Sequence, residues 1–186
     1  MNLSEKVALR LLSNLDPEKA HNLAMRALKF GFIPKTQGFQ AKSLELSVAG
    51  LKFKNPLGLA AGFDKNAEAI KPLLKFGFGF IEVGAVTPLA QTGNPKPRLF
   101  RLKEDNAIIN RFGFNNDGMH EVSKRLSKRP SNGIVGLNLG ANKNSADRMN
   151  DFATVFKTCS EFIDFATINV SSPNTENLRE LQSDKE

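Results

Sequence analysis

From Leu57 to Val170 the chain repeats one unit: a short, almost continuously apolar run, then a stretch with helical periodicity. The pattern predicts strands over Leu57–Phe63, Phe80–Thr87, Ile134–Asn138 and Phe165–Val170, separated by helices over Ala67–Phe76, Asp117–Ser127 and Asp151–Phe162. Strands apolar along their whole length are buried on both faces, which implies a parallel sheet covered by helices, an α/β fold. Ahead of it, Leu44–Val48 and Leu51–Lys54 bracket Ala49-Gly50 and read as a β-hairpin. Four strand and helix units satisfy a doubly wound sheet and equally the first half of an eight-unit barrel. The tail at Leu178–Gln182, which brings no closing strand or helix, favours the barrel half. A complete barrel takes about 250 residues, against the 186 here.

Residues 1–40 read differently. Ser4 is placed to cap a short helix carrying Val7, Ala8, Leu11, Leu12 and Leu15. Asp16 is a suitable N-cap for a second, with Pro17 at its first position and an apolar stripe of Ala20, Leu23, Ala24, Ala27 and Leu28 stopped by Gly31 and Pro34. Lys6, Arg10, Lys19, Arg26, Lys29 and Lys35 make the segment basic. Two such helices suit either docking on a core or lying in a membrane interface.

Composition narrows the function classes. With 40% hydrophobic residues and 15 Phe there is material for a core, so a disordered chain is excluded. The single Cys159 excludes an internal disulfide and any cysteine-cluster metal site. No run approaches the roughly 20 apolar residues of a membrane span, and a secretory leader pattern is absent from residues 1–40. The net charge of +7 favours anionic partners. No nucleic-acid recognition motif accompanies it.

Chemistry-bearing residues gather after the strands, where parallel α/β folds place their sites. Ala60 to Asn66 combines small residues, which let a flat ligand approach the backbone, with Lys65, which can pair with an anion. Its glycine spacing is not that of a phosphate-cradling loop. Gly84 to Thr87 opens a long excursion ending at Asn110 to Asn116, the length of a functional loop or lid. Asn138 and Asn169 close successive strands, and buried amides there need partners, which points to a ligand. His21 and His120 fall on helices, so no Ser-His-Asp arrangement forms.

Five ordered motifs, NPLGLAAGFDKN at 55–66, GFGFIEVGAVTP at 77–88, PRLFRL at 97–102, NRFGFNN at 110–116 and INVSSPNT at 168–175, closely resemble the quinone-dependent (class 2) dihydroorotate dehydrogenases. The DPEKAH run at 16–21 resembles the helical extension of that class. The resemblance implies residues 1–40 as a membrane-associated two-helix extension at the quinone entrance, and residues 41–186 as the first half of an FMN-binding (β/α)8 barrel. It implies oxidation of dihydroorotate to orotate in pyrimidine synthesis with a membrane quinone as acceptor, and a peripheral location on the cytoplasmic side of the cell membrane against its anionic surface. Cofactor contacts are expected at Ala61, Gly62, Phe63, Asp64, Lys65, Ala85, Asn138 and Asn169. Substrate contacts are expected at Lys65, Asn110, Arg111, Phe112, Gly113, Phe114, Asn169 and Asn174, with Ser172 as catalytic base and no metal. Family members often carry Thr where this chain has Ala85, which leaves a backbone contact there. An isolated half barrel exposes strand edges and is expected to be inactive; the alternative is a noncatalytic half that binds membrane or a complementary half chain.

Overall fold

The computed structural model describes residues 3–32, 41–175 and 178–183. Two helices come first, α1 (Leu3–Ser13) and α2 (Pro17–Lys29), then a hairpin of β1 (Leu46–Val48) and β2 (Leu51–Phe53). The body follows: β3 (Gly58–Leu59), α3 (Ile70–Leu74), β4 (Phe80–Val86), a second hairpin of β5 (Leu99–Leu102) and β6 (Ala107–Asn110), α4 (Met119–Leu126), β7 (Ile134–Leu139), α5 (Arg148–Cys159) and β8 (Phe165–Ile168). Strands β3, β4, β7 and β8 form one parallel sheet in chain order. That order never reverses, so the sheet is singly wound and the doubly wound alternative falls away.

One face of the sheet is core. Ile81, Val83, Val135 and Leu137 are fully buried and pack with Ile70 and Leu73 of α3, Val122 and Leu126 of α4, and Phe152 and Val155 of α5. Each such side chain contributes about 1.5–3 kcal/mol on leaving water. The other face carries Phe80 and Phe165, whose rings meet edge-on at 5.8 Å. These rings lie where Gly58 and Gly136 leave room, since a Cβ at either glycine would sit 2.1 Å from a ring carbon.

Several boundaries depart from the sequence expectation. The strand predicted over Leu57–Phe63 holds ladder pairing only at Gly58–Leu59, because Gly62 and Asp64 turn off to exchange bonds with Gly84 (Gly62 N–H to Gly84 O, 2.9 Å; Gly84 N–H to Asp64 O, 3.1 Å). The helix predicted from Ala67 begins at Ile70. Ala67 sits at φ 57°, and the Asp64 carboxylate takes the N–H groups of Glu68 (2.8 Å) and Ala69 (2.7 Å). Helix α5 starts at Arg148, three residues early, because Asp147 caps it through Asn150 N–H at 2.9 Å. Ser4 lies inside α1 and is not its cap. The stripe of α2 buries Ala20, Met25 and Leu28, whereas Leu23 stays half exposed. Asp16 caps α2 as expected, accepting Lys19 N–H at 3.0 Å.

The largest difference is the excursion after β4, whose middle forms the β5–β6 hairpin. Two arginines, one just ahead of β5 and one within it, tie down the N-terminal helices. Arg98 pairs with Glu18 of α2, and Arg101 donates to the carbonyls of Leu12, Ser13 and Leu15 at the end of α1. Carbonyls at a helix C-terminus run short of intrahelical partners, although Leu12 O also takes Leu15 N–H at 3.3 Å, and a cation from another element adds to their bonding and complements the helix dipole.

Candidate active site

A cleft of about 430 Å³ opens beyond the carboxyl ends of the parallel strands. Ala61, Gly62, Gly84 and Ala85 line one side, Asn138 and Asn169 another, and Asn110 and Phe112 to Asn115 with Ser171 to Asn174 complete it. Of the residues expected from sequence, Ala61, Gly62, Lys65, Ala85, Asn110, Phe112, Gly113, Phe114, Asn138, Asn169, Ser172 and Asn174 all meet here. Three others stand elsewhere. The Phe63 ring lies edge-on against His21 of α2 at 5.2 Å, Asp64 is buried as the backbone acceptor described above, and the Arg111 guanidinium donates to the Pro97 carbonyl at 2.9 and 3.2 Å.

Lys65 is the cation of the cleft. Its Nζ donates to the Gly62 carbonyl at 2.7 Å and lies 4.4 Å from the Phe112 ring centroid. Burial pushes its pKa below the ordinary lysine value, opposed by Glu18 and reinforced by Arg98. Gly62 adopts φ 102°, which favours glycine, and a Cβ there would meet no atom of the described residues within 4 Å. The Ser172 hydroxyl accepts the Asn174 N–H at 3.3 Å. Asn174 in turn reaches the Asn110 carbonyl at 3.5 Å, so the serine loop is joined to the end of β6.

The two strand-end amides each find a partner within the chain, so packing meets part of the need that the sequence reading assigned to a ligand. Asn138 Nδ2 donates to Glu82 Oε1 at 2.8 Å, and Asn169 Nδ2 donates to Asn138 Oδ1 at 2.9 Å. Each primary amide nitrogen keeps a second N–H for a ligand. Sequence reasoning missed Glu82 and Asn115. Alternation along β4 places Glu82 on the same face as Gly84, a signal that was available. Asn115 has its Oδ1 buried with no hydrogen-bond partner among the described residues, and only the folded loop reveals that.

Against the far side of Lys65, Phe112 and Asn115 lies a second cavity of about 350 Å³, roofed by α2 through Glu18, His21 and Met25 and floored by Phe63 and Asn66. Burial holds the His21 pKa below its ordinary value, with the Lys65 charge acting in the same direction. Its lining is mixed in character: Lys29 and Glu68, ion-paired at 2.8 Å, also face it.

A donor set of amides and one lysine, small residues along one side and an orphaned acceptor suit a flat heterocycle bearing imide and carbonyl groups, as a flavin does. Among the described residues no group of three or more His, Cys, Asp and Glu side chains gathers to hold a metal ion.

Fold and cleft together define a singly wound parallel α/β protein with an open cleft at the strand carboxyl ends. A family model described as dihydroorotate dehydrogenase matches residues 43–186. The chain is 57% identical over 183 residues to a dihydroorotate dehydrogenase (quinone) of Cereibacter sphaeroides, covering 98% of this chain and 52% of the relative. The corresponding figures for the Agrobacterium fabrum protein of the same name are 51% over 181 residues, 97% and 50%. The crystal structure of DHODH from Eimeria tenella in complex with ferulenol superposes with a TM-score of 0.86 at 43% identity, over 95% of this chain and 50% of that one. The chain belongs to the dihydroorotate dehydrogenase family. It spans about half the length of the relatives it matches.

Proposed function

We propose that this chain supplies the N-terminal half of an FMN-dependent dihydroorotate dehydrogenase that passes electrons to a membrane quinone. The observation that carries the reading is the convergence of Lys65, Asn110, Asn138, Asn169, Ser172 and Asn174 on one cleft in a chain of this family. Residues 41–186 are the first half of a (β/α)8 barrel, and residues 1–40 its membrane extension.

FMN, when bound, supplies the two-electron acceptor for oxidation of dihydroorotate to orotate. The chain's own residues do the rest. The backbone of Ala61, Gly62 and Ala85 gives a flat wall, and the free N–H groups of Asn138 and Asn169 donate to ring carbonyls and nitrogens. Lys65, held by Gly62 and Phe112, offsets negative charge on the ligand edge. Asn110, Asn169 and Asn174 read the substrate's amide and carbonyl edge, whose donors and acceptors alternate as their own do. Ser172 Oγ takes the proton from the substrate carbon next to its carbonyl, the role of a positioned general base.

The second cavity, under α2, is assigned to the quinone. Val7, Leu11, Leu15, Leu23 and Phe30 are exposed on α1 and α2 or at their ends, beside Lys6, Arg10, Lys19 and Arg26. This apolar and basic mixture supports peripheral binding to an anionic membrane on its cytoplasmic side. No described helix is long and apolar enough to cross a membrane.

The test uses the protein isolated at its natural length. FMN is titrated by fluorescence quenching, then dihydroorotate is added without oxygen and flavin bleaching is followed before and after a short-chain quinone. Saturable binding near one FMN per chain, bleaching by dihydroorotate and reoxidation by the quinone are expected. FMN binding without bleaching would refute the substrate assignment.

A further inference from the structure

We infer that Glu82, in mid-strand β4, is a positioning residue that fixes which way the cleft amides point. The inference rests on the flavin reading above and deepens it. Glu82 shares a sheet face with Gly84 and, through the register Glu82↔Gly136 and Gly84↔Asn138, lies diagonally beneath Asn138. An ionised carboxylate only accepts hydrogen bonds. Its contact at 2.8 Å therefore obliges Asn138 to present Nδ2 to Glu82 and Oδ1 away from it. That Oδ1 accepts Asn169 Nδ2 at 2.9 Å. The Asn169 Oδ1 is left facing Ser171, whose N–H and hydroxyl lie 3.3 Å away.

A primary amide is nearly symmetric in shape, and its two orientations differ only in where donor and acceptor stand. Packing alone cannot choose between them. One acceptor-only group at the base of the chain does, and the choice passes through Asn138 and Asn169 to the loop that carries Ser172. Reversing the amides would present a carbonyl where a ligand carbonyl has to be bound. Glu82 touches neither ligand in this scheme, and its effect is exerted wholly through the amides.

Glu82→Gln tests this, because it keeps shape and hydrogen-bonding capacity but can donate as well as accept. In the protein at its natural length, E82Q is expected to raise the FMN dissociation constant roughly tenfold, the loss of about one well-made hydrogen bond. The absorbance maximum of bound flavin should shift, while the apo-protein melts as the wild type does. In an Asn138→Ala background the same substitution should change FMN affinity less than twofold, since the amide it acts through is gone. Glu82→Asp, which keeps an acceptor-only head, should fall between wild type and E82Q. Unchanged FMN affinity and spectrum in E82Q overturn the inference, as do an undiminished effect in the Asn138→Ala background and a ranking with E82D worse than E82Q. Failure of the wild-type protein to bind FMN is a separate result: it overturns the flavin reading itself, and this inference with it.

Discussion

Glu18→Gln removes one charge from the junction between α2 and the body. The Glu18 and Arg98 side chains are 12% and 7% exposed. The carboxylate accepts Arg98 Nη2 at 2.6 Å and Nε at 3.1 Å, a two-pronged pair, with Lys96 Nζ at 3.4 Å. Gln keeps the shape and one acceptor, but the buried guanidinium loses its counter-charge. Breaking a buried pair from one side costs about 3–5 kcal/mol. The low end applies here, because Arg98 Nη1 still donates to the Thr92 and Asn94 carbonyls. At roughly 1.4 kcal/mol per tenfold, about 3 kcal/mol raises the undocked population of α2 on the order of a hundredfold. Amide hydrogen exchange over Ala20–Lys29 measures it, with the amides of β4 and β7 as internal controls. The pH dependence has a fixed sign. Hydrogen bonding to Arg98 holds the Glu18 pKa below its ordinary 4.5, against desolvation and with help from the Arg98 and Lys96 charges. A carboxylate depressed in the folded state stabilises fully above its unfolded value and loses that contribution as pH falls through the folded one. The gap between wild type and E18Q should therefore be constant at neutral pH and close on acidification. Exchange within twofold of wild type at pH 7, or a gap that widens in acid, would refute the reasoning.

On the proposed reading, three further outcomes follow from the cleft. Gly62→Ala forces a side chain to φ 102°, which should lower stability by about 1–3 kcal/mol and, because the added Cβ stands in the cleft, also weaken FMN binding; melting and fluorescence titration separate the two. Lys65 is uncharged at a lower pH than an ordinary lysine, so the KM for anionic dihydroorotate should rise as pH climbs through that lowered pKa. Lys65→Arg should move the rise to higher pH. Ser172→Ala should reduce kcat by about 10²–10⁴-fold and leave the FMN dissociation constant unchanged in a binding titration.

The sheet was legible in the sequence because its strands are apolar on both faces: Phe80–Thr87 and Ile134–Asn138 match the observed β4 and β7 within a residue. Helix starts were less so. At Ala67 and Asp151 the deciding event is where a carboxylate from a neighbouring segment goes. Asp64 takes the amides that a helix from Ala67 would have used, and Asp151 accepts the Asn142 N–H at 2.9 Å instead of capping. The β5–β6 hairpin escaped because its strands read as an Arg- and Pro-containing loop, and its second strand, β6, is exposed along its length. In the cleft, Gly62, Lys65 and the asparagines announce themselves by residue type. Phe63, Asp64 and Arg111 sit inside the same motifs and point away from it, a distinction that depends on the local backbone path.

Lys65, Phe112 and Asn115 form a wall shared by the strand-end cleft and the cavity under α2. The Phe112 ring has Lys65 Nζ at 4.4 Å and the Arg98 guanidinium at 5.5 Å. Arg98 is in turn held by Glu18 of α2. Moving α2 therefore changes both the packing of the wall and the charge balance on Lys65, since Glu18 raises and Arg98 lowers the same pKa. Loss of the Glu18 counter-charge should depress the Lys65 pKa further. On the proposed reading, E18Q then has a second signature remote from α2: the alkaline rise in KM for dihydroorotate starts at lower pH. The same rise left in place, with α2 exchange accelerated, would show that the helix and the cleft are packed together but not electrostatically coupled.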